Sequence, residues 1–300
     1  MTEGGGRDDR ITVAQRPIQV GLGTNLALAA VKLVAGVFGH SYALIADAAE
    51  SGADVLTSMA FLFGLAYAAK PADSDHPHGH GKAEPLAAAA VALALFAAAG
   101  WIARDSAQLI VTPHPLPAPF TLVVVIAVLI AKEMLFRYVN RVGERVDSTA
   151  VKADAIHQRT DVFVSGAALV GISVALIGGK GFESADDWAA LFASAIIVYN
   201  GFTMLSGAVG ELLDKEAPPE LLEQVRALAS EMPDVMGTHR CHVRKMGMDL
   251  VVELDVLVNG GTSVDRAHEV AHAVQDHIRA KMPAVRRVLV HIEPAGGARG

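Results

Sequence analysis

The chain is short of cysteine, of aromatic residues and of excess positive charge. Cys241 is its one cysteine, which excludes an intrachain disulfide and a four-cysteine zinc knuckle. Aromatic residues make up 5% of the chain and the formal net charge is −7. No basic stripe with interleaved aromatics occurs, so nucleic acid is not an expected partner. A phosphate-binding glycine loop of the P-loop type is also missing, so nothing points to a nucleotide-driven process. The opening MTEGGGRDDR has no signal-peptide apolar core, and residues 1–16 read as a disordered tail.

What the chain does have is apolar sequence, gathered into runs. Hydrophobic residues are 52% of the total, above the 45–50% usual in soluble domains. Segments 17–39, 85–103, 118–136 and 188–208 approach or exceed the roughly 20 apolar positions that cross a bilayer. Segments 41–69 and 148–178 are apolar too, but carry acids and histidines. Six transmembrane helices over 17–213 are therefore expected. The four prolines of Thr112–Pro119 and the glycines at 178, 179 and 181 break two of the connections, as residues that end helices do. Arg7, Arg10, Arg16, Lys70, Lys82, Arg137, Arg141, Arg145 and Lys152 fall at one set of helix ends, which predicts that both termini are cytoplasmic. The chain then reads as a multi-pass protein of the cell inner membrane.

Residues 214–296 are mixed and charged, a plausible small domain. The pattern is helix, strand, strand, helix, strand, with Asn259-Gly260-Gly261 as a turn between the second strand and the second helix. That αββαβ order suggests a cytoplasmic ferredoxin-like α+β domain.

Ionisable residues inside a transmembrane helix are costly, and they mark function by default. The second helix carries Asp47, Glu50 and Asp54; the fifth carries Asp154, His157 and Asp161. The i, i+4 spacing puts Glu50 and Asp54 on one helix face, and His157 with Asp161 on another. If those faces meet, three carboxylates and an imidazole converge, all ligand types that zinc accepts. The plainer alternative is acids that touch water at helix ends or pair with Lys32 or Arg159. The loop after the second helix adds Asp75 and three histidines, His76, His78 and His80, a composition common in metal-binding tracts; the plainer alternative is a solvated loop. His268-Glu269-Val270-Ala271-His272 matches the H-E-x-x-H zinc-protease helix. The domain is too small for a substrate cleft and no third ligand is evident, so an enzyme is not expected.

Taken together, ADAAESGADVLTS, DHPHGHGKAE and ADAIHQRTDVFVS resemble the cation diffusion facilitators, a family of divalent metal/proton antiporters. The resemblance runs from the first helix to His291. It implies a transport site of Glu50, Asp54, His157 and Asp161, and a loop site of Asp73, His76 and His80. It further implies a regulatory metal site in the tail at or near His239, Glu253, His268, His291 and Glu293, where ordinary surface histidines are the competing reading. It also implies a homodimer in which Lys82 of one subunit pairs with Asp214 of the other. Two positions depart from the pattern: Glu50 stands where zinc members often have His or Asp, and Glu253 where some have His. A site with three carboxylates is oxygen-rich, which relaxes selectivity towards manganese or ferrous iron.

The expected function is export of divalent transition metal from the cytoplasm in exchange for protons. Zinc comes first, with iron(II), manganese, cobalt and cadmium as further substrates and zinc also the regulatory ligand. The rival readings are a passive metal channel and a non-transporting metal sensor or scaffold of the same fold.

Overall fold

The computed structural model describes the backbone of residues 5–296 except 69, 71, 113, 147–148 and 248, with side chains described for 20–60, 67, 70, 72–112, 114–141, 162–247 and 249–296. His157 and Asp161 lie outside the residues whose side chains are described, as does the whole of the expected N-terminal tail, residues 1–16.

Six long helices come first: α1 (Gly5–Gly39), α2 (Tyr42–Ala68), α3 (Ala83–Val111), α4 (Pro119–Val146), α5 (Thr149–Gly178) and α6 (Ser184–Leu212). The backbone of α1 is helical from Gly5, not from near Pro17. Helices suit these apolar sequences because every backbone N–H and C=O in a bilayer must be paired within its own segment. Among the described residues, four stretches are long and apolar enough to cross a membrane: Val20–Gly39, Ala83–Val111, Pro119–Arg141 and Ser184–Leu212. The described apolar part of α5, Val162–Gly178, is shorter, and α2 is interrupted by its three acids. Breakers end the helices where the sequence indicates. Gly179 and Gly181 take positive φ between α5 and α6, a conformation glycine adopts without steric cost.

The chain divides into two compact units, residues 1–60 with 90–205, and residues 61–89 with 206–300. In the first, Ala35, Ala43, Leu44, Val125, Ala168 and Ile172 form a buried cluster. Small residues at such contacts let helix backbones approach closely. Large apolar side chains such as Phe38, Phe163, Ile177 and Phe202 are exposed, as on a surface solvated by lipid. One contact between distant elements secures the start of α2. The Asp186 carboxylate, from the first turn of α6, accepts from Ser41 Oγ at 2.7 Å, Tyr42 N–H at 2.6 Å and Ala43 N–H at 3.2 Å. The two N–H groups are backbone donors that a helix start leaves unpaired, and the negative charge suits the positive end of the helix dipole.

The second unit contains α7 (Pro219–Ser230), β1 (Gly237–Met246), β2 (Asp249–Val258), α8 (Val264–Lys281) and β3 (Val285–Pro294). Pro219 opens α7, a position where its missing N–H costs nothing. Ser263 caps α8 by accepting the Arg266 N–H at 3.3 Å. The sheet runs β1-β2-β3, with β1 antiparallel and β3 parallel to β2. Val252, Leu254, Val256, Val270, Val274 and Ile278 are buried together in its core. The element order is the expected αββαβ. With three strands, though, no strand is inserted between β2 and β3, which are joined by α8 and pair directly.

Lys82 and Asp214 come together within one chain. Lys82 Nζ is 3.0 Å from Asp214 Oδ1 and donates to the Leu212 carbonyl at 3.2 Å. Asp214, at φ +56, turns the chain just after α6, which brings its carboxylate to Lys82. Arg244 Nη1 donates to the same oxygen at 2.8 Å. Burial alone would push the Asp214 carboxyl up, but Lys82 and Arg244 together hold it below the usual carboxylate value.

Candidate metal centres

Glu50 sits in α2 with only 3% of its surface exposed, and Asn200 Nδ2 of α6 lies 3.5 Å from its Oε1. Asp54, one turn further along α2, is partly buried. Two of the four expected transport ligands therefore lie on an inner face of the bundle; the other two, His157 and Asp161, are outside the described side chains. Asn200 was not foreseen. Its signal was there to read: a lone amide in the apolar run Ile196–Phe202, where a polar group must find a partner.

Asp47, three residues before Glu50, has a different task. Lys32 Nζ lies 2.8 Å from its Oδ1 and 2.7 Å from Ser51 Oγ, and Ser165 Oγ donates to the same Asp47 oxygen at 2.8 Å. All four side chains are buried. The pairing of an acid with Lys32, weighed above as the plain alternative for the whole set, holds for Asp47.

In the loop after α2, Asp73, His76 and His80 come together with donor atoms within 4.8 Å of one another. Asp73 Oδ1 accepts the His76 N–H at 2.6 Å and the Asp75 N–H at 3.1 Å, and lies 3.0 Å from His76 Nδ1. Its Oδ2 is 3.3 Å from His80 Nε2. The backbone N–H of His76 is the main reason the Asp73 carboxyl is held below its ordinary value, with the two imidazoles assisting. His80 is buried, edge-on to Tyr67 with ring centroids 5.1 Å apart. One carboxylate and two imidazoles suit a divalent transition ion that keeps a fourth position for water or another ligand. His78 does not join them. Its Nδ1 is 2.8 Å from Arg287 Nη1, and a guanidinium only donates, so that nitrogen is occupied as an acceptor. Asp75 contributes its backbone to the turn.

In the tail, His239, Asp255 and Glu293 bring donor atoms within 4.8 Å of one another. His239 Nδ1 is 3.3 Å from Glu293 Oε2, and His291 Nε2 is 3.9 Å from Glu293 Oε1. Three of the five expected tail residues thus gather in one chain, and Asp255 takes the place expected of Glu253. The strand register explains the exchange. Asp255 pairs with His291 across β2 and β3, whereas Glu253 sits opposite Leu289 and lies 3.9 Å from Arg244 Nη2. His268 is on the exposed side of α8, because Val270, Val274 and Ile278 take the buried side. Its Nε2 faces His272 Nε2 at 3.1 Å, while Glu269 is tied to Arg266 at 2.9 Å. The H-E-x-x-H match therefore has no base poised over its two imidazoles. Cys241 is buried, and that burial pushes its thiol up, away from the thiolate that binds metal.

The profile of the cation efflux transmembrane domain matches residues 18–213, and that of the cation efflux protein cytoplasmic domain matches residues 217–295. The chain belongs to the cation diffusion facilitator family. This facilitator is 31% identical to the magnetosome protein MamB of Magnetospira sp. (strain QH-2), over 90% of its own length and 92% of that relative. It is 30% identical to the manganese efflux system protein MneP of Bacillus subtilis (strain 168), over 95% and 98%. With the cation-efflux pump FieF of Cronobacter sakazakii it shares 30% identity over 88% and 87%. The facilitator is thus a multi-pass helical membrane protein of a family that transports divalent metal, with a C-terminal domain of the family's cytoplasmic type.

Proposed function

We propose that this facilitator exports divalent transition metal from the cytoplasm in exchange for protons, with zinc first among its substrates and manganese and ferrous iron next. Glu50 carries the reading: a carboxylate with 3% of its surface exposed, one turn from Asp54, in a helix of the transport domain. An ionisable group at such a place marks a functional site by default. On this reading His157 and Asp161 of α5 complete a four-ligand site. Its carboxylates must be ionised and its imidazole neutral to bind metal, so metal and protons compete for the same groups. Low proton activity inside favours loading, and higher proton activity outside displaces the ion. All six helices span the inner membrane, with both termini cytoplasmic.

Two such chains form a homodimer through the tail, whose sheet fits a ferredoxin-like domain that lacks one strand. His239, Asp255 and Glu293 there, with Asp73, His76 and His80 in the loop, bind cytoplasmic metal that regulates transport. The oxygen-rich ligand set favours manganese and iron more than a second histidine would, and the name of MneP fits that tendency. A channel or a sensor would behave differently in sealed vesicles. In proteoliposomes with an imposed pH gradient, zinc accumulates against its own gradient and protons move the other way. Downhill movement without proton counterflow would identify a channel, and no movement at all a sensor.

A further inference from the structure

A second group of buried ionisable residues lies at the opposite end of α6 from the tail. Asp187, in the first turn of α6, has only 1% of its surface exposed, yet among the described residues no other group donates a hydrogen bond to either of its oxygens. Its close polar neighbour is His114 Nε2, at 3.1 Å from Oδ2, without the alignment of a hydrogen bond. A buried carboxylate left in that state costs several kcal/mol, of the order reserved for groups that neutralise or coordinate an ion.

The surroundings are acidic. Asp186 is adjacent, and Asp105 and Asp187 both bear on the Tyr42 phenol. His114 and Glu183 line a cavity of about 270 Å³. Lys180 stands beside Glu183. Asp186 already caps α2, so its charge serves the helix start. That leaves Asp187 and His114 facing each other, with His114 and Glu183 both lining the cavity, and the Glu183 carboxylate accepts the Gly181 N–H at 2.7 Å.

Two ligands on one tetrahedral zinc, each about 2.0–2.2 Å from the metal, stand roughly 3.3–3.5 Å apart. The 3.1 Å between His114 Nε2 and Asp187 Oδ2 is close to that spacing. Tyr42, on the same end of the bundle, is two turns from Glu50, roughly 12 Å along the α2 axis.

We propose that His114 and Asp187, beside the cavity that Glu183 helps to line, form a second and weaker divalent-cation site where cargo leaves the transport domain. The role of release site rests on the export reading above; the binding itself does not. With two or three protein ligands and water for the remainder, the ion is held loosely and exchanges with bulk solution. The helix-dipole explanation of the two acids, stabilisation at an N-terminus, accounts for Asp186; an ion pair with His114 at 3.1 Å is the competing account of Asp187, and a count of bound metal separates the two.

The test is a count of bound metal. Full-length protein in phosphatidylcholine nanodiscs is titrated with Zn²⁺, and bound ion is measured by equilibrium dialysis with no gradient present. Asp187→Asn and His114→Gln each lose one weak zinc equivalent per chain and keep the tight classes, whereas Asp187→Glu retains the weak one. Unchanged stoichiometry in His114→Gln overturns the proposal, as does a weak class that survives Asp187→Asn. The tight classes report folding: if Asp187→Asn loses those as well, the result for His114→Gln decides. A chain that binds the weak equivalent but moves no metal in vesicles contradicts export and leaves this site standing. Transport without the weak class does the reverse.

Discussion

Lys32 and Asp47 form a buried ion pair, Nζ to Oδ1 at 2.8 Å, one helical turn before Glu50 on α2. Both side chains are fully buried, and Ser51 and Ser165 complete the network. Removing one member of such a pair strands the other charge, at about 3–5 kcal/mol. Lys32→Met is therefore expected to lower the midpoint of thermal unfolding in detergent markedly. Lys32→Met combined with Asp47→Asn recovers at least half of that loss, since no charge is left unpaired. Equal loss in the single and double variants would show that the pair has no such role.

Asn200 and Glu50 meet at 3.5 Å, a long contact to a charged group. Asn200→Ala is expected to weaken metal binding at the transport site by about 1 kcal/mol, roughly fivefold, with no change in fold. Glu50→His is expected to move the zinc-to-manganese preference towards zinc, because imidazole replaces a hard oxygen ligand. Competition titrations on the purified protein check both.

The loop turn has a pH dependence whose sign follows from Asp73. Its carboxyl is held below the ordinary value, chiefly by the His76 N–H. A depressed carboxyl adds stability above its unfolded value and loses it as pH falls through the lowered one. The turn is expected to persist at pH 5 and to open only in acid below about 4. Amide-proton shifts of His76 read that transition directly. Asp73→Asn abolishes it and lowers zinc affinity of the loop.

Lys82 and Asp214 are both about 40% exposed, and a pair of that kind contributes only about 0–1 kcal/mol. Since they meet within one chain, Lys82→Ala is expected to leave the dimer dissociation constant unchanged by sedimentation in detergent. Gly81 is the more sensitive neighbour. A Cβ there would come 2.6 Å from the Met246 carbonyl oxygen, a backbone atom, so Gly81→Ala is expected to destabilise the protein more than Lys82→Ala.

Much of this architecture was legible in the sequence because its signals are local. Apolar run length marks four spans, and the i, i+4 spacing marks Glu50 and Asp54. Short loop separation brings Asp73, His76 and His80 together, as their order in the chain suggests. What stayed hidden depends on contacts between distant segments. Asp186 caps a helix start nearly 150 residues away in the chain. Asp255 replaces Glu253 because of a strand register, which depends on tertiary pairing and not on residue type. The Lys82–Asp214 pair is legible in its residue types, and the fold brings the two together within one chain; residue types alone do not distinguish a contact within a chain from one between chains.

The central claim is proton-coupled transport through the acids of α2 and their partners on α5. The most direct measurement is zinc flux into proteoliposomes under an imposed pH gradient, for the natural chain and for Asp161→Ala. The account predicts uphill zinc accumulation with opposite proton movement in the first, and loss of both in the second, with the dimer intact. Undiminished zinc accumulation in Asp161→Ala, or zinc movement in the natural chain that ignores the pH gradient, would contradict it.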